Sequence, residues 1–388
     1  MPRDAHILKQ QFFAALETVD WPQAILANLL VIGVLIGAKA LLIWDADLFY
    51  RSVQEDESLE WATFWAFLAA AAVALVGAHR QRKAGVRFPW FMVGLSLFCF
   101  FVAMEEISWG QRLLGYRPPA YFLQQNFQQE LNLHNVVSTD LRKFALKAVI
   151  LGYGVVLPLI ALVPLIGRWF KRRMITPPPW TLIPSFLITF ATYQRYPWKF
   201  SGELVELMLG LAFLFALVQT SRVGSEDRNV GSEDRGRRNR WSWLDPLKAW
   251  LVVVVLGVVT ASTSHALTRG HPAKIEAAKI EVEALLRDFH SLPEIKCSSH
   301  KRIYSYVQKY DGANLEEGKF ANLVARGLPE ERASFFLDPW NSPYWIRHRC
   351  SEERETTTLF LYSFGPNRKR DSTRTEILGD DIAAVYRP

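Results

Sequence analysis

Apolar residues run through the first two thirds of this chain in blocks of roughly 17–25, parted by short polar segments. Each block is long enough to cross a hydrocarbon core of ~30 Å as a helix. The blocks lie near residues 22–44, 61–79, 88–107, 144–167, 180–195, 202–220 and 247–267, which predicts about seven membrane spans. The fifth is short and the sixth opens with two glutamates. Beyond residue 267 the pattern changes. Residues 272–289 place Ile275, Ala278, Val282, Leu285, Leu286 and Phe289 on one stripe with charges elsewhere, the mark of an amphipathic helix. The segments from Tyr344 and from Thr357 then alternate like strands. The expected fold is a polytopic α-helical membrane domain over 1–267, with a flexible basic linker at about 221–246. A small α+β external domain follows over 268–388, with a long N-terminal helix and a short antiparallel sheet.

Composition sharpens this picture. Half of the 388 residues are apolar and 21% are charged, which excludes a disordered chain and a small disulfide scaffold, while the clustering of the apolar blocks excludes a single soluble globule. The first apolar block is too long for the core of a cleavable signal peptide, so it reads as a signal anchor. Charge then sets orientation. Arg80, Arg82, Lys83 and Arg87 share one loop, Arg168, Lys171, Arg172 and Arg173 a second, and Arg222 to Arg240 a third. With seven spans all three fall on the side of the N-terminus, while the first opposite loop holds Asp45, Asp47, Glu55, Asp56, Glu57 and Glu60. The N-terminus is therefore predicted cytoplasmic and the C-terminal domain periplasmic. Arg142 and Lys143 run against the bias. The net charge of +7 resides mainly in the cytoplasmic loops, where topology and anionic headgroups account for it, so nucleic acid is not expected as a partner. A tandem repeat, Val223 to Asn229 and Val230 to Gly236, reads as linker.

Ionisable residues within or at the ends of spans are functional candidates by default. The third span ends with Glu105 and Glu106, the next outer segment carries Glu130 and His134, and the sixth span opens with Glu203 and Glu206. Glu130 and His134 are spaced i, i+4, so a helix would put them on one face. The deduced topology brings all six residues to one depth near the outer leaflet. Such a set suits a transition metal, a general acid/base pair or a cation path. A buried hydrogen-bond network, with Arg112 pairing a glutamate and the Asn and Gln side chains satisfying irregular backbone, is the structural alternative. Lys39 in the first span is expected to snorkel, and Cys99 to pack between spans.

The string Glu105-Glu-Ile-Ser-Trp-Gly-Gln-Arg112, followed by Asn126-Phe-Gln-Gln-Glu130-Leu-Asn-Leu-His-Asn135, resembles a group of bacterial polytopic membrane proteins of uncharacterised function. The resemblance covers about thirty residues and brings no activity with it.

A second resemblance lies in the external domain. Asp338-Pro-Trp-Asn-Ser-Pro-Tyr344, then Leu361-Tyr-Ser-Phe-Gly365, then Gly379-Asp-Asp-Ile382, is similar to the C-terminal domain of the major pseudopilin, the G component of type II secretion. It extends over about 110 residues, from the membrane helix through the long amphipathic helix. The resemblance implies a helix packed on a small sheet, an outer location and a calcium site in the last loop. By position that site falls on Asn367, Asp380 and Asp381. Between them stand Arg368, Lys369 and Arg370, and calcium wants six to eight oxygens and negative charge. An arginine bridged to Asp371 or Asp381 is the alternative way to hold the loop. The processing signal of pseudopilins does not precede the last span, so the domain reads as a borrowed module. Cys297 and Cys350 both lie in this domain and form a candidate disulfide in an oxidising periplasm.

These readings converge on an integral inner-membrane protein embedded in the lipid bilayer. It would present a pseudopilin-like module to envelope or secretion-type protein partners. A membrane-embedded enzyme, such as a metal-dependent hydrolase using the Glu/His cluster, is the alternative, and an ion or solute carrier the third. No serine-hydrolase elbow, phosphate loop or dinucleotide fingerprint is present, and no inverted repeat is visible.

Overall fold

The computed structural model describes residues 20–53, 57–83, 85–86, 88–126, 129–226, 245–268, 272–289, 300–305, 329–350, 357–368, 370–372 and 376–387. The polytopic reading is met by five helices long and apolar enough to cross a membrane: Trp21–Trp44 (α1), Ser58–Lys83 (α2), Thr139–Ala161 (α4), the stretch Ser201–Thr220 of Ser201–Glu226 (α7), and Asp245–Ser264 of Asp245–Thr268 (α8). The other two hydropathic blocks are also helical but shorter. Trp90–Glu106 (α3) has 17 residues, and Ile183–Arg195 (α6) has 13 after a single 3-10 turn. The fourth block departs most from expectation. Its helix begins at Thr139, runs through a π-helical stretch at Ala148–Val156, and stops at Ala161. Val163 is extended, and a separate helix, Pro164–Arg173 (α5), follows. The predicted linker falls largely on residues 227–244, which lie outside the described residues.

The chain divides into two compact units, Met1–Ile107 with Val137–Ala261, and Ser108–Val136 with Ser262–Pro388. In the first, α2 packs most closely on α3 and on α7. Its alanines recur every fourth residue, at Ala62, Ala66, Ala70, Ala74 and Ala78, and all are buried. Small residues let helix backbones approach where lipid offers no hydrophobic drive to associate. A Cβ on Gly210 of α7 would lie 3.1 Å from the Ala66 methyl, and one on Gly257 of α8 would lie 3.1 Å from the Ala62 backbone. Helix α7 is apolar all round and is the most enclosed of the five long helices, as such a pattern requires. Polar side chains tie α1 to α6: Asn28 Oδ1 accepts from the Ser185 N–H at 3.0 Å and the Ser185 hydroxyl at 2.7 Å, and its amide donates to the Thr181 carbonyl. Lys39 places its ammonium 5.1 Å from the centre of the Trp198 ring, an amphipathic arrangement that a charge within a span needs.

The second unit contains helix Pro272–Phe289 (α9), with the bounds read from its stripe, and a four-stranded antiparallel sheet in the order β1-β2-β3-β4. The strands are His300–Arg302 (β1), Trp345–Cys350 (β2), Thr357–Ser363 (β3) and Ile382–Tyr386 (β4). Register aligns Ile346 with Leu361 and Leu361 with Ala384, and these side chains meet Val282 and Leu285 of α9 in one core. The short strands β1 and β4 carry no clear alternation and were not signalled by the pattern. The segment 108–136, which hydropathy leaves within the membrane half, clusters with the C-terminal residues. Leu123 packs with Phe335 and Leu337, Gln129 Nε2 donates to the Phe335 carbonyl, and Asn341 donates to the Gly115 carbonyl at 3.0 Å.

Candidate functional site

The six carboxylate and histidine candidates divide between the two units. Glu105, Glu106, Glu203 and Glu206 belong to the first, whereas Glu130 and His134 belong to the second. Within the first unit, Glu106 feels the charges of Glu206, Glu60, Glu203 and Glu105, in decreasing order. Glu60, which sequence reading placed only in the acidic loop, is thus a fifth member. Three helix ends supply the set: the last turn of α3, the first turn of α2, and the first two turns of α7. Two of those are N-termini, where the helix dipole favours a carboxylate; the C-terminus of α3 opposes Glu105 and Glu106. Glu105 is buried. Tyr193 of α6 lies within range of both Arg142 and Glu206.

The string around Glu130 builds a different object. The segment containing Glu130 and His134 is not helical, so the i, i+4 spacing does not put them on one face; Glu130 is buried and His134 exposed. Ser108 Oγ donates to Glu130 Oε2 at 2.9 Å, and Asn132 Nδ2 donates to the same oxygen at 3.2 Å. Asn126 Nδ2 donates to Asn132 Oδ1 at 2.8 Å and to the Glu130 carbonyl at 2.6 Å, while Gln111 Oε1 accepts from the Leu131 N–H at 2.7 Å. Five polar side chains of the string therefore satisfy one another and the irregular backbone in a buried knot. Left-handed conformations at Ser108 (φ 47°), Trp109 (φ 55°) and Gln129 (φ 55°) are strained, and the knot is what holds them. The side chain of Arg112 lies outside the described residues. Among the described residues, no three His, Cys, Asp or Glu side chains come together as metal ligands. The transition-metal reading loses its Glu–His pair.

The motifs of the second unit meet in space. Asp338 Oδ1 accepts from the Trp340 and Ser342 N–H groups at 2.9 Å each, closing the turn, while Oδ2 accepts from the Ser363 hydroxyl at 2.5 Å. Burial pushes the Asp338 carboxyl up to about 6 against those stabilising hydrogen bonds. Tyr344 donates its hydroxyl to Glu281 on α9. Gly365 (φ +67°) admits the Asp380 carbonyl where a Cβ would collide with it at 2.0 Å. The first motif thus fastens to the second and to the helix, and the second to the third.

In the last loop, Asp380 Oδ2 accepts from the Asn367 N–H at 3.0 Å, and Asp371 Oδ2 accepts from the Asn367 amide at 2.8 Å and the Asp380 N–H at 3.3 Å. Asp381 Oδ2 accepts from the Ser372 N–H at 2.8 Å. The other oxygens, Asp380 Oδ1 and Asp381 Oδ1, are buried without a hydrogen-bond partner among the described residues. Asp380 is pushed up to about 7 by burial and by Asp371, and Asp381 to about 6 by burial. These residues do not fit calcium. Asn367 offers nitrogen rather than oxygen to Asp371, each carboxylate has an oxygen committed to backbone N–H groups, and among the described residues no three carboxylates come together as a metal site. Arg368, buried, lies near Asp338 and against Gly115. Asp371 is engaged by Asn367 and the Asp380 backbone. The Cys297–Cys350 pairing falls on Cys297 and on a Cys350 side chain that lie outside the described residues; Cys99 is a free, buried cysteine in α3.

Compared with protein-family models, curated proteins and solved structures, the chain shows no match.

Proposed function

We propose that this chain is a seven-span protein of the bacterial inner membrane that presents its second unit to the periplasm as a pseudopilin-like module for interaction or assembly in the cell envelope. The observation that carries this reading is the meeting of three motif blocks around one helix, through Asp338 with Ser363, Tyr344 with Glu281, and Gly365 with Asp380. The arrangement is a helix-on-sheet scaffold in which the motif residues hold the fold together, as the pseudopilin-like reading expects. The two shorter apolar helices, α3 and α6, contribute Cys99, Ala103 and Phe186 to the core of the first unit, and on this reading they are the two remaining spans. Reporter fusions test the topology: one after Pro388 reads periplasmic, and one between Arg222 and Arg240 reads cytoplasmic. The reverse pair would overturn it. Photo-cross-linkers at Ile377, Leu378 and Tyr386, which are exposed on the second unit, test the module. Discrete adducts to envelope proteins are expected, and adducts to lipid alone would remove the interaction reading.

One observation favours a second reading. Glu106 lies within electrostatic range of Glu206, Glu60, Glu203 and Glu105, and like charges in a low-dielectric setting draw in a proton or a cation. On this reading the first unit moves or uses that cation. Saturable proton or cation uptake by the reconstituted chain, abolished by Glu106→Gln, would decide for it.

A further inference from the structure

We propose that helix α5 is an in-plane docking surface for anionic phospholipid headgroups. The chain leaves α4 abruptly: Leu162 closes the helix, Val163 is extended at φ −73° and ψ 118°, and Pro164 starts the next helix. Ten residues are too few to cross a bilayer, and the break separates this helix from the preceding span. Gly167 makes the close turn possible, since a Cβ there would sit 2.7 Å from the Ala161 carbonyl oxygen. The far end is pinned as well. Trp90 Nε1 donates to the Arg173 carbonyl at 2.8 Å, and the Ile175 N–H donates to Phe170 at 2.9 Å. The helix is therefore held at both ends by its own unit.

Its two arcs differ sharply. Leu165, Ile166, Trp169 and Phe170 form the apolar arc, and Arg168, Lys171 and Arg172 lie on the other with Arg173 at the end. Phe170 is 5% exposed and anchors the helix to the protein, but Leu165 is 71% exposed and Trp169 50% exposed on the same arc. All four cations are exposed. An apolar strip ending in tryptophan beside a cationic strip is the pattern that lies at the headgroup level of an anionic leaflet. Charge complementarity selects the occupant: four cations with no acidic residue on the helix match phosphate-bearing lipid, and the exposed Leu165 and Trp169 require acyl chains rather than a soluble anion.

The inference rests on the membrane reading of the first unit but not on its orientation. The test uses the full chain in nanodiscs of phosphatidylcholine with a minor fraction of phosphatidylglycerol, and the lipids retained on release are identified by native mass spectrometry. Wild type is expected to enrich phosphatidylglycerol. The Arg168→Gln, Lys171→Gln, Arg172→Gln, Arg173→Gln variant should lose about fivefold or more of that enrichment, since a single cation near an anionic surface contributes about that factor. Replacing the three arginines with lysine should preserve it, which separates charge from folding. Leu165→Ser with Trp169→Ser should weaken retention of both lipids. Equal enrichment in wild type and the charge-free variant would overturn the proposal, as would enrichment abolished by inorganic phosphate, which would indicate a free-anion site. A chain that does not enter nanodiscs at all would instead overturn the membrane reading.

Discussion

Arg332 grips Glu281 through both guanidinium nitrogens, Nη1 to Oε2 at 2.8 Å and Nη2 to Oε1 at 2.6 Å, with side chains 15% and 5% exposed. The pair joins helix α9 to the single helical turn Glu330–Ala333 between β1 and β2, and Tyr344 donates to the same carboxylate. Removing one partner leaves a buried charge uncompensated, which typically costs about 3–5 kcal/mol. Glu281→Ala should therefore destabilise the second unit by about that much, seen as lost amide-exchange protection in β2 and β3. Glu281→Leu combined with Arg332→Met should recover most of the loss. Equal losses in the single and double variants would show that packing, rather than the ion pair, sets the cost.

The carboxylates of the first unit make a second prediction. Glu106 and Glu206 interact most strongly within the set, so neutralising either removes the same repulsion. Glu106→Gln and Glu206→Gln should each raise thermal stability, and the double variant should gain less than the sum by about 0.5–3 kcal/mol. Strict additivity would mean that the two acids do not share a site.

Much of the fold could be read from residue pattern alone. Helix α9 follows its stripe because every fourth or third apolar residue meets the sheet, and α7 follows its unbroken hydropathy because it lies at the centre of its unit. The chemistry was harder to read. Glu281 interrupts an apolar stripe and looks like a solvated charge until Arg332, 51 positions away, is placed against it. Glu60 looked like one acid among many in a polar loop, since sequence spacing carries no information about which helix ends come together. Glu130 and His134 have helical spacing on a segment that is not helical and that follows a left-handed Gln129, and nothing in the composition of Asn126 to Asn135 announces that dihedral.

The close packing of α4 on α6 depends on one missing side chain. A Cβ on Gly154 would fall 2.1 Å from the Phe186 ring, inside any permissible contact. Gly154→Ala should cost about 1–3 kcal/mol through overpacking, and Phe186→Leu should restore part of it in the double variant. Thermal melting of the four proteins in detergent gives the comparison. A neutral Gly154→Ala would show that α4 and α6 can separate freely.

The last loop should respond to protons and not to calcium. Asp380 and Asp381, held up to about 7 and about 6, bind protons more tightly folded than unfolded, where the ordinary value is 3.8. Their contribution to stability is therefore complete below about 4 and fades as pH rises through 6 and 7. His348, held down to about 4 by burial, acts in the opposite sense. The informative comparison is thus wild type against Asp380→Asn, which should flatten the decline between about pH 5 and pH 8. Millimolar calcium should leave amide exchange in β3 and β4 unchanged relative to chelator. A strong calcium-induced protection would restore the loop as a metal site.

The second unit is assembled from two pieces of chain, and Gln129 finds its acceptor at Phe335, 206 positions later. At roughly 5–20 residues per second, a ribosome takes roughly ten to forty seconds to deliver the second piece after the first. Throughout that interval Leu123 has no Phe335 or Leu337 to cover it. A nascent chain in this condition is a substrate for holding chaperones. Premature termination anywhere before residue 335 leaves that apolar surface permanently uncovered, so truncated products should be cleared by proteolysis rather than accumulate as partial proteins.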